Sequence, residues 1–106
     1  MDLRKWWETT TQDEIESLMP KAIEYGSNDL QMIGNALLAL RPDLRGVVAP
    51  DEFAIAFYAL GKVARIIGAY EDGRTPSDDS WHDLAIYARM ALRVRDAGEW
   101  PGKVQA

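Results

Sequence analysis

The stretch running from Pro50 or Asp51 to about Glu71 limits the fold more than any other part of the chain. Phe53, Ile55, Phe57, Tyr58, Leu60, Val63, Ile66 and Ile67 put apolar groups on nearly every side of it. A helix with that pattern has to be central, because no single face would suffice to bury it. Asp72-Gly73 closes it. Ala54, Gly61 and Gly68 recur at heptad spacing with Ala64 beside them. Glycine within a helix costs about 1 kcal/mol against alanine, so a neighbouring helix is expected to approach closely there. That neighbour is either the helix that follows Ser77 or the same helix of a second subunit. Lys62 and Arg65 are the only charges in the middle, and they either snorkel to the surface or answer buried acids.

The rest of the chain reads as shorter helices around this one. Thr11-Gln12-Asp13-Glu14 has the form of a capping box, so a helix is expected to open there, with Ile15, Leu18, Met19, Ala22 and Ile23 on one face. Residues 1–10 are then an arm, held to the body by Trp6 and Trp7. Pro20 removes one backbone hydrogen bond and predicts a kink or split near Leu18; Gly26 ends the helix. Asn28, with Gln31, caps the next one, whose stripe is Leu30, Ile33, Leu37 and Leu40. Residues 42–50 form a loop between prolines, with Val47 and Val48 tucked beneath it. Ser77 caps the last helix, and Asp78 and Asp79 suit the positive end of its dipole. Trp81, Leu84, Ala85, Ala88 and Leu92 form its apolar face, widened by Ile86, Met90 and Val94. Gly98 ends it. No strand-like alternation appears. The expected fold is all-α: a four-helix, mostly antiparallel bundle over residues 11–101, its first helix kinked or split at Pro20, with a tail over 102–106.

Composition closes off several functions. A net charge of −5 and one small basic cluster, Arg89, Arg93 and Arg95, argue against duplex nucleic acid as a partner. With no cysteine and one histidine, His82, a metal site would need oxygen ligands, which suits Mg²⁺ or Mn²⁺. His82 itself reads as a surface residue, turned about 100° from Asp83 on the helix. No uninterrupted run approaches 18 apolar residues, so a cytoplasmic protein without membrane contact is expected. A chain of 106 residues leaves much of its surface wet, which makes a homodimer the expected assembly. Asp79 and Asp83, four apart on one helical face, mark either a metal site or a charge-balanced helix start.

Taken in order, Glu24-Tyr25-Gly26, Asn28 to Leu40, Ala59-Leu60-Gly61-Lys62-Val63-Ala64-Arg65 and Asp78-Asp79-Ser80-Trp81-His82-Asp83-Leu84-Ala85-Ile86-Tyr87-Ala88 carry a resemblance. Over roughly residues 18–101 the chain resembles small proteins of actinobacterial phages labelled MazG-like nucleotide pyrophosphohydrolases. It is also similar to phage domains with an Asp-Ser-Trp-x-Asp-x-Ala-x-Tyr-Ala helix. The resemblance implies an all-α bundle that splits a nucleoside triphosphate into monophosphate and pyrophosphate with Mg²⁺. On that reading Asp79 and Asp83 are the catalytic acids and, with Glu24, the metal ligands. Lys62 and Arg65 contact phosphates, and Tyr25 or Trp81 stacks on the base. The family pattern is Glu-Glu-x-x-Glu on one helix and Glu-x-x-Asp on the next. Here Asp83 matches the final acid, Ser80 stands three before it, and Tyr58 to Arg65 contains no carboxylate. The alternative implied by that departure is a salt-bridge network in place of the metal, in a non-catalytic nucleotide-sensing or partner-binding dimer.

Overall fold

The computed structural model describes residues 2–100; the expected 102–106 tail lies outside them. The described chain is all-helical. Helix α1 (Leu3–Asp13) runs through a π-turn (Glu14–Leu18) into α2 (Met19–Ile23), and α3 (Ser27–Leu40), α4 (Pro50–Glu71) and α5 (Asp78–Ala97) follow.

The first helix opens at Leu3 rather than at Thr11, so the arm itself is helical. Asp2 is the true cap: its carboxylate accepts from the Lys5 backbone N–H at 2.8 Å, and an Arg4–Glu8 pair supports the first turns. Thr11 therefore sits mid-helix and caps nothing. Trp6 and Trp7 do not clamp the arm, being 51% and 62% exposed, and no residue of α1 is buried. The projecting arm helps explain a radius of gyration of 15.5 Å, against about 13 Å for a compact chain of this length.

Pro20 acts as its chemistry demands. The ring would clash with the carbonyl one turn back. The helix widens instead: the Met19 N–H reaches the Glu14 carbonyl, five residues earlier. The split expected near Leu18 is thus a π-turn rather than a break. The next cap is Gly26, in extended backbone, rather than Asn28.

Helix α4 has the bounds its proline and its Asp-Gly end foretold. It runs antiparallel to α5, with Arg95 paired to Glu52 at one end and Lys62 to Asp83 ten residues further along α4. Within the chain, the close approach falls at α3 and the start of α4 rather than between α4 and α5. Gly34 on α3 abuts Pro50: a Cβ built on it would overlap the Pro50 carbonyl and stand 2.7 Å from its Cα. At Gly61 and Gly68 a Cβ would meet nothing within 4 Å.

The core joins Leu30, Ala54, Ile55, Ile86, Tyr87, Met90, Val94 and Ala22. Helix α5 buries the Ile86, Met90 and Val94 side, while Trp81 and Leu92 stay 52% and 62% exposed. The residues expected only to widen the apolar face are the buried ones, and its expected centre at Trp81 and Leu92 is exposed, because α5 carries two apolar arcs of similar length. Leu40 and Val47 are likewise exposed, at 79% and 76%. Trp100 fastens the segment after α5: its backbone N–H donates to Asp51 at 2.9 Å and its indole N–H to the Tyr25 carbonyl at 3.1 Å. Asp51 is buried, and that burial pushes its carboxyl above the usual value despite the Trp100 N–H, which pulls it down.

Candidate functional site

The polar centre of the molecule forms where α2, α4 and α5 converge. Helix α4 places Tyr58 and Lys62 one turn apart; α5 places Asp83 and Tyr87 one turn apart. Both spacings align the pair on one face, and the antiparallel packing brings the two faces together. The Lys62 ammonium meets the Asp83 carboxylate at 2.8 Å, with the side chains only 19% and 30% exposed. Of the two sequence readings of Lys62, the one that answers an acid holds.

Beside the ion pair, Tyr25, Tyr58 and Tyr87 make an aromatic trio. The Tyr58 and Tyr87 rings stack at 6.0 Å, and Tyr25 meets both at an angle, 5.7 and 6.0 Å away. The Tyr25 and Tyr87 hydroxyls share a hydrogen bond of 2.8 Å. Burial, then that bond, pushes the Tyr25 phenol up to about 12, with the Asp83 charge adding to the rise and Lys62 opposing it. Burial also raises Tyr58.

Two open hollows flank the ion pair. One, of about 610 Å³, is lined by Lys21, Glu24, Tyr25, Asp83 and Tyr87, among others. The other, of about 340 Å³, is lined by Phe57, Tyr58, Gly61, Lys62, Arg65 and Tyr87 with Leu60 and Ala64. The structure thus gathers Tyr25, Lys62 and Asp83, sets Glu24 on the rim of the first hollow, and puts Arg65 in the second. Arg65 has no carboxylate partner among the described residues. Asp79 is exposed a turn before Asp83, and Trp81 is exposed and lines neither hollow. His82 is exposed, as read from the sequence, and Arg89 pairs with Glu14 of the π-turn at 3.3 Å.

Holding Mg²⁺ takes several anionic oxygens around one point. Among the described residues, no three His, Cys, Asp or Glu side chains gather closely enough to hold an ion. Asp83 is engaged by Lys62, so the donor set does not fit the metal the resemblance implies. Sequence reasoning missed Tyr58 and Tyr87; their four-residue spacing from Lys62 and Asp83 was the available signal. No family model, curated protein or solved structure matches the chain.

Proposed function

We propose that this chain is a non-catalytic, partner-binding helical module. The observation that carries this reading is the Lys62–Asp83 ion pair: the acid that the resemblance would assign to a metal is held by an ammonium of the same chain. Phosphoanhydride hydrolysis requires a Lewis acid or comparable charge to neutralise the leaving pyrophosphate and orient water, and a lysine neutralised by its own carboxylate supplies neither. The likeness to phage MazG-like proteins is then one of scaffold, with the bundle kept and the chemistry lost. What remains for the module to bind with is the outer side of α4, where Phe57, Leu60, Val63 and Ile67 are exposed. Such a patch on a small protein marks an interaction surface.

The decisive assay is pyrophosphate release from the common nucleoside triphosphates, with and without Mg²⁺. No turnover is the expected result. Mg²⁺-dependent release that Asp83→Ala abolishes overturns the reading and restores the hydrolase. A nucleotide-sensing variant of the proposal is favoured by one observation, the Arg65 guanidinium, unpaired among the described residues, beside Phe57, Tyr58 and Lys62 in a hollow large enough for a base and phosphate. Its mark is a thermal shift with nucleotide that needs no Mg²⁺ and disappears in Arg65→Ala.

A further inference from the structure

Resting on the partner-binding reading, we infer that the partner of α4 is a second copy of this chain, seated antiparallel across a two-fold axis at Ala64. At about 100° per residue, the buried positions Asp51, Ala54, Ile55, Ile66 and Ala69 fall on one side of α4. The opposite side, an arc of about 180° by the same geometry, presents Ala56, Phe57, Leu60, Gly61, Val63, Ala64, Ile67 and Tyr70, all exposed. It is continuous, apolar and free of charge until Glu71.

The shape of that surface selects its occupant. Phe57, Leu60, Ala64 and Ile67 repeat at the three- and four-residue steps of a helix-packing seam, and Gly61 and Gly68 lie beside it. A two-fold axis at Ala64 sets Leu60 opposite Gly68 of the other copy, and Ile67 opposite Gly61. Each large side chain then enters a space that a glycine leaves open, and the axis itself is crossed by alanine. A parallel pair would instead stack Leu60 on Leu60 and leave both glycine gaps unfilled. This gives the two glycines the role for which α3 and α5 offer no neighbour, since nothing of their own chain lies within 4 Å of a Cβ at either. Antiparallel pairing also opposes the two helix dipoles, setting the positive N-terminal end of one helix near the negative C-terminal end of the other.

The area suffices. From the exposures of Phe57 (53%), Leu60 (65%), Val63 (38%), Ile67 (49%) and Tyr70 (58%), with the small residues between them, each copy has roughly 600 Å² to bury, close to the about 800 Å² per partner of a standard interface. A lipid surface is the competing occupant, because α4 is long and apolar enough to cross a membrane by length and composition. Spanning would strip Ala54 and Ile55 from the core and pull Lys62 from Asp83, whereas a second copy leaves both in place. The seam also explains why the smaller hollow is open: Phe57, Leu60, Gly61 and Ala64 line it, and the second copy covers that side.

Sedimentation equilibrium tests the inference at tens of micromolar. The wild-type chain runs at twice its 11.9 kDa; Ala64→Arg, an exposed position, runs at the single-chain mass with unchanged circular dichroism. Because the chain has no cysteine, single thiols report the register. Ala64→Cys forms a covalent dimer under mild oxidation. Phe57→Cys does not, since its mate lies about 21 Å away along the seam. A monomeric wild type, equal cross-linking at both positions, or flotation of the wild-type chain with phosphatidylcholine vesicles overturns the second copy. None of these touches the non-catalytic reading, which falls only to Mg²⁺-dependent pyrophosphate release measured on the same samples.

Discussion

Gly34→Ala is the substitution whose sign the fold fixes most sharply. In an open helix the change is favourable, by about 1 kcal/mol of helix propensity. At Gly34 the new methyl has to occupy space held by the Pro50 backbone, whose Cα stands 2.7 Å from it and whose carbonyl is nearer still. Backbone at the start of a helix does not move aside as a side chain tip does. Overpacking of this kind costs about 1–3 kcal/mol, and the upper part of that range applies here. The net expectation is a loss of about 2 kcal/mol, or about 10 °C in Tm for a domain of this size. Gly61→Ala and Gly68→Ala are the matched controls, since each faces open space in its own chain. Made in the Ala64→Arg background, which excludes a second copy, each is expected to gain up to about 1 kcal/mol. Urea unfolding followed at 222 nm reads all three. A Gly34→Ala protein as stable as its parent would refute the close approach of α3 to the start of α4.

The Lys62–Asp83 pair is expected to give a coupling of about 1–2 kcal/mol in a Lys62→Met/Asp83→Asn double-mutant cycle, between the values for exposed and buried pairs; a coupling near zero would remove it as a fixed feature. Asp51 has a raised folded value, so its neutral form favours the fold, and that contribution is full below about pH 4 and lost as pH rises through the folded value. Asp51→Asn, which stays neutral, should therefore gain on the wild type between pH 3 and 7, and a pH-independent difference would contradict the burial argument. Tyr25 is raised from 10.0 to about 12, so the stability tied to its neutral form fades above pH 10. Absorbance at 295 nm should show late-titrating tyrosines, Tyr25 the latest of them, and Tyr25→Phe should remove that last step while Tyr58 still titrates late; a single transition near 10 would count against the trio.

Helix α4 was legible because its signals are local: a proline at the first position, an Asp-Gly end and no breaker between. The start of α1 was not, since Thr11-Gln12-Asp13-Glu14 is a good cap that competes with Asp2, and only the continuous backbone decides between them. Helix α5 shows a different failure. Periodicity finds its apolar arcs but cannot tell which one meets α4, and the side bearing Ile86, Met90 and Val94 prevailed because Tyr87 comes with it to join Tyr58. Lys62 and Asp83 both stood out as residues, yet their partnership is set by the register of two helices, which no single segment encodes. The Trp100 clasp depends on the segment after α5 meeting the start of α4 and the turn after α2, and nothing near Trp100 in the sequence announces it.

The π-turn before Pro20 makes the direction of α1 a matter of residue count. A π-turn holds one residue more than the α-helical turn it replaces, so everything ahead of Glu14 is rotated by about 100° relative to an uninterrupted helix. Removing one residue from Glu14–Leu18 would swing Trp6 and Trp7 to another azimuth while leaving α2 to α5 where they are. The insertion thus works as an index mark: the chain can re-aim its tryptophan-bearing arm by a single-residue length change, without altering any side chain on the arm itself.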